Sequence, residues 1–208
     1  MSPRKVDTEA RKEQILAAAM QVFAQKGLDG ATMDDIVRAS GLSKGGLYWH
    51  FKGKDDIIMS ILTQFFDQEL AVLEEIRGAD ISASDRLRQL AAQIMADLEM
   101  LAPMLAISLE FYALAARREE VRVFIREYYG RYRAALSALL AEGIERGEFR
   151  SVPSVEAIAN TLIAQLEGIM LVWSINPEAF ELRVQVETAV ELILAALVPH
   201  KGETGHDS

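Results

Sequence analysis

The sequence predicts an all-α protein: an N-terminal three-helix helix-turn-helix domain followed by a larger helical domain, about nine helices in total. Three observations carry this. Apolar residues recur every three or four positions along most of the 208 residues, the period of a helix with one buried face. No stretch alternates apolar and polar long enough to make a half-buried strand. The breaks between periodic segments fall at glycines, prolines and the short polar residues that cap helices. Half the residues are hydrophobic, with 13 Gly and 5 Pro, the composition of a chain that buries a core.

The first helix is expected from Thr8 to Lys26, with Ile15, Leu16, Ala19, Met20 and Phe23 on one side and Gly27 as its stop. Thr32-Met-Asp-Asp35 has the form of a capping box and opens a short helix to Ala39. Ser40-Gly41-Leu42 is a turn. Ser43 caps a second short helix through His50, and Lys52-Gly53-Lys54 separates it from a long helix, 54–76. Further helices are expected from Ser82 to the residue before Pro103, from Pro103 to Arg117, from Glu119 to Arg146, from a Ser154 cap to Ile175, and from Asn176-Pro177 to Pro199. The polar residues 201–208 read as a disordered tail. The domains expected are therefore 1–54, linked by the helix 54–76, and 55–200. No internal repeat or low-complexity tract interrupts them.

Charge divides the chain in the same place. The net charge is −9, yet residues 1–54 carry nine Lys and Arg against six Asp and Glu, a net +3, and the remainder carries a net −12. An acidic body repels phosphate, so only the N-terminal quarter is electrostatically suited to nucleic acid. The absence of Cys removes disulfide, thiolate-metal and iron–sulfur chemistry. Of the three His, His50 lies in the second short helix and His200 and His206 near the end, so the body supplies no His-based triad and no imidazole metal site. No phosphate-binding or dinucleotide glycine loop is present. Catalysis, cofactor and metal sites are not expected. No apolar run approaches the roughly 20 residues of a membrane span, and the start lacks an apolar signal core; the expectation is a cytoplasmic protein with no membrane partner.

Two short helices joined by a tight turn at Gly41 make a helix-turn-helix, the arrangement that places a second helix in the DNA major groove. Leu47 and Phe51, four apart, can face inward with Ile36, Val37 and Leu42, leaving Lys44, Tyr48, Trp49 and His50 outside. Two large exposed aromatics in a small domain ask for a partner. Gly45 and Gly46 together sacrifice about 2 kcal/mol of helix propensity relative to alanine, which close approach of a phosphate backbone would explain. The string Ile36-Val37, Gly41, Ser43-Lys44-Gly45, Leu47-Tyr48, His50-Phe51-Lys52 and Lys54 resembles the DNA-binding domain of the TetR family of transcriptional regulators. The resemblance implies a homodimeric repressor, released from an approximately palindromic double-stranded DNA operator by a small-molecule effector. It places Thr32, Tyr48, Trp49, His50 and Lys54 near the phosphates and Ser43, Lys44, Gly45 and Gly46 at the groove floor. Lys44 is then the main reader, donating to guanine O6 and N7. Gly46 departs from the many relatives that carry a side chain there, and Trp49 stands where many carry tyrosine. The alternative is a helical ligand- or protein-interaction module without specific DNA binding, which a gel shift distinguishes.

Beyond residue 100, Met104, Phe111, Tyr112, Tyr128, Tyr132, Gln165 and Trp173 fit either an ordinary core or the lining of an apolar effector cavity with a few polar handles. Gln165, an amide among Leu162, Leu166 and Ile169, needs a partner in either case. The last two helices are apolar on more than one side. Val186, Val190, Ile193 and Leu197 make a stripe on the last, while Gly168 and Leu171 lie within the apolar end of the one before. With Glu167, these are the candidate dimer residues, since the family resemblance implies that the last two helices pair with their copies across a two-fold axis.

Overall fold

The computed structural model describes residues 3–199, with side chains at 8–96 and 112–199. The expected tail, 201–208, and the side chains of Met104 and Phe111 lie outside the described residues. Helices run in the order α1 (Pro3–Gly30), α2 (Met33–Ser40), α3 (Lys44–His50), α4 (Lys54–Gly78), α5 (Ala83–Arg117), α6 (Glu119–Glu145), α7 (Val155–Ile175) and α8 (Leu182–Leu197), with no strand among the described residues. Two compact units emerge. One contains the residues up to Gln68 with Ala102–Val123; the other contains Glu69–Leu101 with the residues from Phe124 onward. Helices α4, α5 and α6 therefore each contribute to both.

In the first unit, Ile15, Ala19 and Phe23 of α1, Ile36 of α2, Leu47 of α3, Phe51 and Ile57 form a fully buried core. Each of the Ile, Leu and Phe side chains among them contributes about 1.5–3 kcal/mol by leaving water. Gly27 breaks the helical geometry of α1 with φ 71°, the left-handed conformation that glycine adopts without a Cβ clash. The chain then turns once more to Gly30 before Thr32 starts α2.

The second unit is held by α6 packed among its neighbours. Leu136, Leu139 and Leu140 of α6, Leu73 of α4, Leu87 of α5, Leu162 of α7 and Val186 and Leu194 of α8 are all buried. A buried charge needs compensation. Arg86, only 2% exposed, finds it in Glu142 at 2.8 Å and the Ala79 carbonyl at 3.0 Å. Arg77 also bonds Glu142, at 3.0 Å, and Arg86 followed by Arg77 holds this carboxyl below its ordinary range. A Cβ at Gly143 would sit 2.8 Å from that of Ala83 and closer still to the Phe149 ring, so glycine lets the end of α6 meet its neighbours.

Three features depart from the sequence expectation. α5 runs unbroken through Pro103. No glycine and no Ser, Thr, Asp or Asn stands between Leu98 and Ile107, so the lost backbone donor at proline is not accompanied by any residue that would cap a stop. Asn176 caps the end of α7 instead of starting the last helix, which begins six residues later. Finally, α7 is long and apolar enough by length and composition to cross a membrane, against the expectation that no segment comes near. Its polar residues, Glu156, Asn160, Gln165 and Glu167, break the apolar runs before Gly168, yet the mean hydropathy stays high. Ala159 and Leu162 are its buried residues, in the second unit.

Candidate nucleic-acid interface

Both short helices are stopped and started by the residues that the sequence marks. The Thr32 hydroxyl accepts from the Asp35 N–H at 3.2 Å, and Asp35 Oδ2 accepts the Thr32 N–H at 3.1 Å and its O–H at 2.7 Å, a complete capping box. Asp35 also takes Lys26 at 2.7 Å and Arg38 at 3.3 Å; Lys26 and then Thr32 hold its carboxyl far below the usual carboxylate range. Gly41 ends α2 with φ 68°. The turn is fixed from behind by the Gln14 amide, which donates to the Ser40 carbonyl at 2.8 Å. Ser43 then caps α3 by accepting the Gly46 N–H at 3.1 Å.

With α3 so anchored, Leu47 and Phe51 point into the core, as their spacing requires, and the other faces are left outside. Trp49 is 71% exposed, and Tyr48 and Lys44 are also exposed. His50 is half-buried, its ring edge-on to Trp49 at 4.6 Å. A Cβ at Gly46 would sit 3.2 Å from Ser43 Oγ, whereas one at Gly45 would meet nothing within 4 Å. The two glycines thus differ: Gly46 leaves room for the cap, and the fold gives no reason for Gly45. Lys54 has a second task that the sequence does not announce. Its ammonium donates to the Leu28 and Ala31 carbonyls, tying the start of α4 to the end of α1 and leaving one of its three protons. Asp34 was also not singled out by sequence; it pairs with Lys44 at 2.8 Å and raises the Lys44 pKa. Its position in the first helical turn gave no hint of a partner ten residues away.

Among the effector candidates, Tyr128 and Tyr132 come together, with ring centroids 5.8 Å apart and both rings buried. The Tyr128 hydroxyl donates to Glu69 at 2.5 Å; burial first, and the nearby carboxylate next, push both phenols above their ordinary range. Gln165 and Trp173 are half-buried in the second unit, and Gln165 Oε1 is shielded from solvent without a hydrogen-bond partner. Tyr112 is exposed and belongs to the first unit.

The dimer candidates divide. Glu167, which accepts from the Tyr129 hydroxyl at 2.5 Å, and Gly168 and Leu171 are exposed on α7, and a Cβ at Gly168 would meet nothing. Val186, Val190 and Leu197 are instead buried within the protomer, and Ile193 is half-buried, so the α8 stripe chosen from sequence faces this chain's own core. The reason is periodicity. Residues 186, 190 and 197 share a face with the buried Leu194, and the opposite face of the same helix carries Val184 and Leu192, the latter 62% exposed. Val172 and Ile175, the latter 73% exposed, extend the apolar surface on α7.

Comparison with known proteins agrees with this geometry. Residues 15–61 match the model for bacterial regulatory proteins of the tetR family, and residues 83–199 match that for the C-terminal part of BetI-type transcriptional repressors. The HTH-type transcriptional regulator YfiR of Bacillus subtilis (strain 168) is 32% identical over 175 residues, covering 82% of this chain and 84% of its own. The HTH-type transcriptional repressor BepR of Brucella suis is 28% identical over 204 residues, covering 95% and 96%. Among solved structures, the regulator FadR of Bacillus subtilis in complex with stearoyl-CoA superposes with a TM-score of 0.76 at 24% identity, over 88% of this chain and 98% of that one; this likeness concerns the fold.

Proposed function

The chain belongs to the TetR family of bacterial regulatory proteins; on that premise we propose that it is a DNA-binding, ligand-responsive transcriptional repressor, and how its residues divide the work. The observation that carries the proposal is α3. A seven-residue helix with Leu47 buried under it and Lys44, Tyr48 and Trp49 exposed around it is shaped to be held by the protein on one side and by DNA on the other. Lys44 reads a guanine edge, with Ser43 beside it, because the cap uses the Ser43 hydroxyl as acceptor and leaves its proton to give. The exposed Gly45 and the adjacent Gly46 let the helix backbone approach the groove floor. Tyr48, Trp49 and His50 donate to phosphates and fix the register. Thr32 acts through the helix that it caps, since its one hydroxyl proton goes to Asp35. Lys54 holds the α1–α4 junction and offers its remaining proton to the backbone.

Two copies act together. The exposed apolar residues Leu171, Val172 and Ile175, on the face of α7 that carries Gly168, and Val184 and Leu192 of α8 offer apolar surface that a second copy covers, with Glu167 beside it. A two-fold dimer carries two reading heads and therefore calls for an approximately palindromic operator. The effector is a small, mostly apolar molecule with at least one hydrogen-bond donor for Gln165 Oε1, held in the second unit with Tyr128, Tyr132 and Trp173. Its binding shifts the population toward dimers whose heads no longer match successive major grooves, through α4, which begins beside the head and ends in the second unit. The site of action is the bacterial cytoplasm.

The test is selection of bound sequences from fragmented genomic DNA of the source organism, followed by fluorescence anisotropy across a salt series. A two-fold-symmetric motif that outcompetes random DNA by about a thousandfold is expected. Weak binding that salt erases, with no motif, would overturn the proposal. Lys44→Ala should relax sequence preference at the base pair it reads; equal losses on operator and random DNA would remove it as the reader.

A further inference from the structure

The first turn of α2 carries two carboxylates with different tasks. Asp35 closes the capping box and takes Lys26 and Arg38, so its charge is committed to holding the head together. Asp34 takes no part in that box. Its Oδ1 instead accepts from Lys44 Nζ at 2.8 Å, across the turn from the helix that enters the groove. Both side chains are open to water, 63% exposed for Lys44 and 65% for Asp34. A pair of this kind adds little to folding stability, and it opens readily. A carboxylate beside the DNA-reading lysine also repels phosphate. A residue that weakens attraction to every DNA and does little for the fold is accounted for if it acts on discrimination.

We infer that Asp34 is a specificity-determining residue: it restrains the Lys44 ammonium so that Lys44 engages DNA where base-edge acceptors are presented to it, and not wherever a phosphate is near. The inference rests on the assignment of Lys44 as base reader. An ammonium has three protons. Asp34 holds one and thereby aims the other two, the number that guanine O6 and N7 accept. On non-cognate DNA the base edges do not present that pair of acceptors where the two free protons point, so Lys44 engages phosphates instead, and there it must leave Asp34 and bring a phosphate toward an uncompensated carboxylate. The penalty falls on random DNA more than on the operator, which is how a residue that touches no base sharpens the choice between bases.

The experiment uses the full-length chain with a duplex carrying the selected motif and a random duplex of the same length. Affinities are measured across a salt series for the unaltered protein, Asp34→Asn, Lys44→Ala and the double variant. Asp34→Asn keeps the shape of the residue and should tighten binding to random DNA by about two- to fivefold, the range of an exposed ion-pair coupling. Operator affinity should change less, so that the operator-to-random ratio falls by a similar factor. Asp34→Glu, which restores the charge, should recover the ratio. In the Lys44→Ala background the substitution should leave the ratio unchanged. If Asp34→Asn tightens both duplexes equally, or lowers the ratio as much without Lys44 as with it, Asp34 acts only as a general negative charge and the inference is overturned. If Lys44→Ala itself leaves the ratio intact, the base-reader assignment fails and the inference fails with it. Asp34→Ser, also suited to a first helical turn, serves as a second variant if the asparagine form does not fold.

Discussion

Helices α3 and α8 each bury one face in the protein, but what they leave outside differs in kind. α3 presents Lys44, Tyr48 and Trp49, side chains with donors at their tips, around a buried Leu47. α8 presents Val184 and Leu192 opposite a buried row of Val186, Val190, Leu194 and Leu197. Water solvates the first set at little cost and penalises the second, so the two surfaces predict partners of opposite character: a polyanion for α3, and another apolar surface for α8. The outer face of α3 is proposed to engage through specific polar bonds, whereas that of α8 is proposed to engage through area. Substitutions in the two regions should therefore fail in different ways.

The largest contrast is expected between neighbours on α8. Leu194→Ala opens a cavity in the core of the second unit and should lower unfolding stability by about 2–5 kcal/mol. Leu192→Ala removes a side chain from the opposite face; it should leave protomer packing intact while shifting the monomer–dimer equilibrium toward monomer. Urea unfolding together with sedimentation equilibrium separates the two effects. Equal losses of stability at both positions, with no change in association, would mean that the exposed face of α8 pairs with nothing.

This contrast also explains what could be read from the sequence. In the head, Thr32, Ser43 and Gly41 fix the ends of α2 and α3 by bonds spanning two to four residues, so the face each helix buries follows from local pattern alone. Leu47 and Phe51 inside, and Tyr48 and Trp49 outside, were legible for that reason. α8 has apolar residues on two faces, and periodicity identifies a helix without saying which row meets its own chain. Val186, Val190 and Leu197 form the row that is buried within the protomer, and the discriminating fact is which neighbours pack against α8. The Lys54 bonds to Leu28 and Ala31, and the pair between Glu69 and Tyr128, escape sequence pattern for the same reason: their partners lie 23 to 59 residues away.

Lys54 provides the intermediate test, since it stands in the reading head but is bonded like a structural residue. Lys54→Met keeps much of the stem and removes the ammonium from two backbone carbonyls, and should lower the stability of the head by about 1.5–3 kcal/mol, the range for hydrogen bonds to charged groups. DNA affinity should fall with it, while the salt dependence of binding changes by less than one released counterion. Thermal melting and the slope of log affinity against log salt report the two quantities. A full unit lost from the slope with no change in melting would instead make phosphate contact the whole task of Lys54 and leave its carbonyl bonds incidental.

The smallest effect is the one that separates fold from function most cleanly. Gly45 lies in the first turn of α3 with open space where a Cβ would stand, while at Gly46 the Ser43 cap is already 3.2 Å away. Gly45→Ala should therefore stabilise the free protein, by about 0.5–1 kcal/mol at most, because alanine gives up less backbone freedom than glycine on entering a helix. The added methyl occupies space that the proposed groove contact needs, so operator binding should weaken even as melting temperature rises. Gly46→Ala should lack the stabilising half of this signature, since its Cβ crowds the capping oxygen. A variant at position 45 that both melts higher and binds its operator as tightly would show that DNA does not approach this turn, and that the glycine serves neither the fold nor the reading.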